Sequence, residues 1–158
     1  MEFAAILLKK IKAKKAQLGV LGLGFVGGAL AQGTAAAGFQ TLGFDIDREK
    51  VNHFNNSKIK NLKATKDFTK LKSCDIVCIC VPTPVNEDRS PKLDYLLKAG
   101  KDIAQNLQYG QLIILESSVA LGTTRNILLP ILETSGKIAG VDFFLGFGVV
   151  FLFLQPGS

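Results

Sequence analysis

A chain of 158 residues, 47% hydrophobic and 20% charged, is sized for one domain with a sizeable core and is too apolar to remain disordered. Its net charge of +6 would suit an anionic partner, but no tryptophan is present and no aromatic residues are interleaved with the lysines, which argues against a base-stacking platform for nucleic acid. The longest apolar run, Phe143 to Leu154, falls well short of the roughly 18 to 20 residues that a membrane-spanning helix needs.

In chain order, Phe3, Leu7 and Ile11 recur at helical spacing among Lys9, Lys10, Lys12, Lys14 and Lys15. They predict an amphipathic N-terminal helix within residues 1–15, docked on the domain's own side, with a membrane-surface role as the alternative. Apolar residues precede the lysines, the reverse of a secretory signal, so the expected location is cytoplasmic. Leu18, Val20 and Leu21 then read as a buried strand, and the alanine-rich run from Ala29 to Ala37 as a helix. Thr41 to Asp45 gives a second strand, Arg48 to Asn56 a short helix, Leu62 to Thr65 a brief strand and Lys66 to Leu71 a helical turn.

The strongly apolar run Ile76 to Val81 is a strand stopped by Pro82 and Pro84. Asn86 to Lys92 is a surface loop, Leu93 to Leu107 a helix ended by Gly110, and Leu112 to Leu115 a strand. Thr123 to Thr134 reads as the next helix, with Gly136 as its stop, and Phe143 to Phe147 as the last strand. Strands alternating with helices give a single α/β domain built on a doubly wound parallel sheet, since right-handed crossovers place helices on both faces.

Between the first strand and its helix lies Gly22-Leu23-Gly24-Phe25-Val26-Gly27. The spacing suits a dinucleotide site, in which Gly22 allows the tight turn, Gly24 the approach of a pyrophosphate and Gly27 close packing of helix on strand. The N–H groups and positive dipole end of the helix then face the phosphates. Such a site needs a carboxylate roughly 20 residues on for the adenosine ribose, and Asp45 supplies it. An acid there favours NAD, while Arg48 and Lys50 nearby keep NADP open. The other polar motifs at the expected carboxyl ends of the strands are Val81-Pro82-Thr83-Pro84 and Glu116-Ser117-Ser118, where ordinary turn chemistry is the competing reading.

Cys74, Cys78 and Cys80 include no CxxC pair and His53 is the sole histidine, so no metal site is expected. Cys78 and Cys80 should share one face of a buried strand. The three thiols read as core filling in a reducing compartment.

The segments GLGFVGGALA, GFDID, CDIVCICVPTP, GQLIILESS, GTT and LLPILE, in that order from about Leu7 to Phe147, resemble the N-terminal Rossmann-type domain of the UDP-glucose/GDP-mannose dehydrogenase family, especially its branch acting on UDP-N-acetylhexosamines. The resemblance implies NAD as cofactor and oxidation of the C6 alcohol of a UDP-sugar to a carboxylate, with a cysteine that captures the aldehyde. It implies that Gly22, Gly24, Phe25, Val26 and Gly27 hold the pyrophosphate, that Asp45 binds the ribose with Lys50 nearby, and that Thr83 and Ser118 line the nicotinamide side with Glu116 beside them. Thr83 and Ser118 are also the supporting candidates for catalysis, which no residue set here completes. It leaves self-association open.

Two departures stand out. Gly28-Ala29 replaces the family's leucine-proline, a change expected to loosen helix packing. After Phe147 the sequence runs Gly148-Val149-Val150-Phe151-Leu152-Phe153-Leu154-Gln155-Pro156-Gly157-Ser158 where the family has a proline-glutamate-arginine turn. The chain thus reads as residues 1–15 leading into a cofactor domain over 16–147 with an atypical apolar tail over 148–158, truncated or altered relative to the family, and alone unable to complete the reaction. The alternative is a non-catalytic nucleotide- or partner-binding module. A small hydroxyacid dehydrogenase fits the VPTP and ESS segments poorly.

Overall fold

The computed structural model describes residues 2–148; the expected tail over 148–158, apart from Gly148, lies outside them. Six strands form one parallel sheet in the order β3-β2-β1-β4-β5-β6. They are β1 Gln17–Leu21, β2 Gln40–Phe44, β3 Leu62–Thr65, β4 Ile76–Ile79, β5 Leu112–Leu115 and β6 Phe144–Phe147. Helices α1 Glu2–Lys12, α2 Phe25–Ala36, α3 Arg48–Asn56, α4 Asp94–Asn106 and α5 Leu129–Glu133 connect or flank them. Strand order reverses between β1 and β4, so the chain leaves the sheet in opposite directions from two neighbouring strands. That divergence opens a crevice beyond the carboxyl ends.

The sheet is buried on both faces. Leu21, Phe44, Val77, Ile79, Ile113 and Leu115 pack with Leu96 and Ile103 of α4 and Leu128 and Leu132 beyond β5. Across the sheet, Val20 and Ala64 pack with Ala31 and Ala35 of α2 and with Val51 and Phe54 of α3. Each fully buried Leu, Ile or Phe contributes about 1.5–3 kcal/mol.

The N-terminal helix buries Leu7 against Ala16, Leu18, Ile76 and Cys78. Lys10 and Asp75 make an ion pair at 2.5 Å, and the other Asp75 oxygen accepts the Gln17 N–H at 2.9 Å. Among the described residues no helix is long and apolar enough to cross a membrane.

Three local expectations are corrected. Gly110, with φ of +80°, shapes the turn into β5, whereas α4 ends at Asn106. The helix read from Thr123 to Thr134 runs without a gap through Glu133, but over Thr124–Leu128 it opens into wide i→i+5 turns before α5. Pro130 explains the widening, because it has no N–H to continue the ladder toward the preceding turn. Gly28 does not loosen packing: the space a Cβ would need is occupied by the Phe54 ring, 3.0 Å away, so the glycine admits α3 closely against α2.

Candidate functional site

The three glycines of the loop after β1 do different work. Gly22 adopts φ of +89°, and a Cβ there would lie 2.7 Å from the Cys80 carbonyl oxygen, so both backbone conformation and space demand glycine. Gly27 is buried under the turn, where a Cβ would overlap the Gly22 carbonyl oxygen and sit 2.9 Å from the Cys80 Cβ. Gly24 faces open space: nothing lies within 4 Å of the position its Cβ would take. It also caps α2 without a side-chain acceptor, which leaves the first-turn N–H groups available to a ligand. Phe25 is 73% exposed and Val26 is exposed beside it.

Asp45 follows β2 and is buried in the crevice. Its Oδ2 accepts the Leu23 N–H at 2.8 Å, its Oδ1 accepts the Asp47 N–H at 2.9 Å, and Lys50 Nζ stands 3.7 Å from Oδ2. Asp47 in turn caps α3 by accepting the Glu49 N–H at 2.8 Å. One carboxylate thus ties the glycine loop to the start of α3 while facing the cleft.

That cleft has a volume of about 290 Å³, at the lower end of small-molecule sites, and is sized for part of a dinucleotide. Gly22, Gly24, Asp45, Asp47 and Lys50 line one part of it. Phe68, Val81, Pro82, Tyr95, Lys98 and Asp102 line the rest. Sequence reasoning missed Phe68, Tyr95, Lys98 and Asp102. The last three lie on one stripe of α4 at helical spacing, a signal indistinguishable in sequence from a solvated helix face.

The remaining expected residues cluster beyond β4 and β5, outside the lining of that cleft. The Thr83 hydroxyl donates to the Ser118 carbonyl oxygen at 2.6 Å, joining the two loops. Ser117, not singled out from the sequence, is buried and donates to the Val81 carbonyl at 2.8 Å, which makes it a second tie.

Glu116 lies beside Cys78, Cys80 and Gly148, and among the described residues its Oε2 is buried without a hydrogen-bond partner. Burial pushes its carboxyl pKa up. In the folded chain Glu116 therefore holds its proton above the pH at which the unfolded chain loses it. Stability falls as pH rises from the ordinary carboxylate range through the raised value, and the penalty persists above it. Glu116→Gln should flatten this part of the profile and raise Tm at neutral pH relative to wild type; melting curves across the acidic range check it, and superimposable profiles would contradict it.

The thiols of Cys74, Cys78 and Cys80 are pushed up to about 12 by burial, with the Glu116 carboxylate adding to the effect at Cys78 and Cys80. None is a nucleophile at neutral pH. A thiol-reactive disulfide reagent at about pH 8 should label them only once the chain is denatured; rapid labelling of the folded protein would contradict this.

The NAD binding domain of the UDP-glucose/GDP-mannose dehydrogenase family matches residues 16–61 and 57–152 of this sequence. The chain belongs to that family. The UDP-N-acetyl-D-glucosamine 6-dehydrogenase of Salmonella typhi is 30% identical over 145 residues, covering 83% of this chain and 34% of that enzyme. Protein CapL of Staphylococcus aureus is 32% identical over 143 residues, covering 82% of this chain and 34% of that protein. The crystal structure of GDP-mannose dehydrogenase from Pseudomonas aeruginosa, in a ternary complex, superposes with a TM-score of 0.81 at 29% identity over 85% of this chain and 36% of that one. This chain spans about a third of the length of such relatives.

NAD is the cofactor of this domain family, and the residues present fit its phosphate-bearing part. The open space at Gly24 and the uncapped start of α2 form a cradle that any side chain would fill. Beside it, Asp45 offers a buried acceptor.

Proposed function

We propose that this chain is the cofactor-holding portion of an NAD-dependent nucleotide-sugar 6-dehydrogenase working on a UDP-sugar in the cytoplasm. The observation that carries this reading is the pairing of the open cradle at Gly24 with the Asp45 carboxylate, both at the reversal of strand order. NAD, when bound, supplies the hydride acceptor for alcohol oxidation.

The chain's own residues bind and orient the cofactor. The first turn of α2 faces the pyrophosphate, and the exposed Phe25 and Val26 flank it. Asp45 accepts from the ribose hydroxyls, and Lys50 stands 3.7 Å from that carboxylate. A ribose phosphate placed there would meet the same carboxylate, so NADP is disfavoured despite the neighbouring Lys50 and Arg48. The tie between Thr83 and Ser118 fixes the loops that bound the nicotinamide side, and Glu116 is held just behind them.

Oxidation to a carboxylate also needs a thiolate to capture the aldehyde and a pocket for the sugar. The thiols of this chain, buried at Cys74 and Cys78 and half-buried at Cys80, have pKa values pushed up to about 12 and do not serve that purpose. The protein of 158 residues should therefore bind NAD without turning over UDP-sugars. Calorimetric titration should give NAD roughly tenfold or more tighter binding than NADP, from loss of one charge-assisted bond, and NADH absorbance should stay flat with UDP-N-acetylglucosamine or UDP-glucose. Equal affinity for the two cofactors would contradict the role of Asp45, and sustained NADH formation would contradict the account of the thiols.

A further inference from the structure

The polar groups lining the cleft fall into two sets with apolar surface between them. Asp45, Asp47 and Lys50 follow β2, whereas Lys98 and Asp102 lie one turn apart on α4. Leu21, Phe44, Phe68, Val81, Pro82 and Ala99 supply the apolar lining. If the first set holds the ribose, as proposed above, the base that extends from it enters the apolar part, and its polar edge meets the second set.

The members of that second set already face each other at the edge of the cleft. Lys98 Nζ stands 3.0 Å from Asp102 Oδ2 and 5.4 Å from the centre of the Phe68 ring. The Phe68 ring packs on buried Phe44, with centroids 5.7 Å apart. The ammonium is thus positioned by a carboxylate on its own helix and a ring anchored in the core. An acceptor next to a donor is a pattern that reads one edge of one base.

We propose that Asp102 and Lys98 recognise adenine, Asp102 accepting from its exocyclic amine and Lys98 donating to the adjacent ring nitrogen. This rests on the cofactor reading and adds base selectivity to it. Hypoxanthine inverts the pattern, because an oxygen replaces the amine and the neighbouring ring nitrogen gains a proton. Asp102 would then face a carbonyl oxygen and Lys98 an N–H. Neither meeting is favourable, and a site built around hydrogen bonds rejects the analogue that leaves its polar groups unmatched.

The probe is deamino-NAD, which carries hypoxanthine in place of adenine, titrated beside NAD by calorimetry into the whole chain. The wild type should bind NAD about tenfold more tightly than deamino-NAD, the scale of one mismatched charge-assisted bond. Asp102→Asn should bring the two affinities to within about threefold, since an amide presents either a donor or an acceptor. Lys98→Met should weaken NAD binding. Both side chains are partly exposed, so neither change threatens the fold. A wild type that binds both dinucleotides equally, or an Asp102→Asn protein that keeps the full preference, overturns this assignment and leaves the cofactor reading intact. A folded wild type that binds neither overturns both.

Discussion

Gly24→Val should abolish NAD binding while leaving the domain folded, and Gly27→Val should do the reverse, removing the folded domain itself. At Gly24 the backbone, with φ of −75°, accepts any residue, and a side chain meets nothing within 4 Å. The cost to the fold is limited to a poorer helix cap, about 1 kcal/mol. The isopropyl group instead fills the open space proposed for the pyrophosphate, so affinity should fall beyond about 1 mM, which calorimetry reads as no heat of binding. At Gly27 even a methyl group would overlap the Gly22 carbonyl, and that carbonyl belongs to a turn already pressed against Cys80. Neither side has a flexible group to yield, so a destabilisation of about 4 kcal/mol or more is expected, visible as loss of a cooperative melting transition. A Gly27→Val protein that melts like wild type would show that the turn is not packed as described.

Asp45→Ala should weaken NAD binding and lower Tm together. Removing the carboxylate strips acceptors from the buried Leu23 N–H and from the Asp47 N–H, and it leaves Lys50 without its partner. Each lost bond to a charged group is worth about 1.5–3 kcal/mol. Asp45→Asn separates the two roles in part, since the amide oxygen still accepts the Leu23 N–H but carries no charge toward the ribose. Asn should recover much of the melting temperature and less of the affinity. Recovery of both in full would make Asp45 a structural residue only.

The parts of this molecule that were legible in the sequence are those whose signal is local. Arg48 to Asn56 and Leu62 to Thr65 stand where their patterns put them. The alternation of apolar strands with helices was enough for a parallel α/β sheet, and the glycine spacing with Asp45 was enough to find the cleft. What was hidden depends on packing across the chain. Gly28 is close to Phe54, a contact between two helices that no local pattern carries. Ser117, rather than its neighbour Ser118, turns its hydroxyl into the fold, a choice set by strand register. Lys98 and Asp102 look like any i, i+4 surface pair until the β1–β4 crevice is placed beside them. The wide turns before Pro130 follow from one missing N–H, legible only once the helix is known to continue through it.

Thermal denaturation in rising NAD, run on the wild type and on Gly24→Val, tests the central claim that this chain holds NAD in the cleft beyond β1 and β2. A ligand that binds the folded state alone stabilises it by roughly 2.7 kcal/mol at about 100 times its Kd, which for a domain of this size raises Tm by roughly 5 to 10 °C. The account predicts that rise for the wild type and none for Gly24→Val. A folded wild type that does not respond, or a Gly24→Val protein that responds equally, would contradict it.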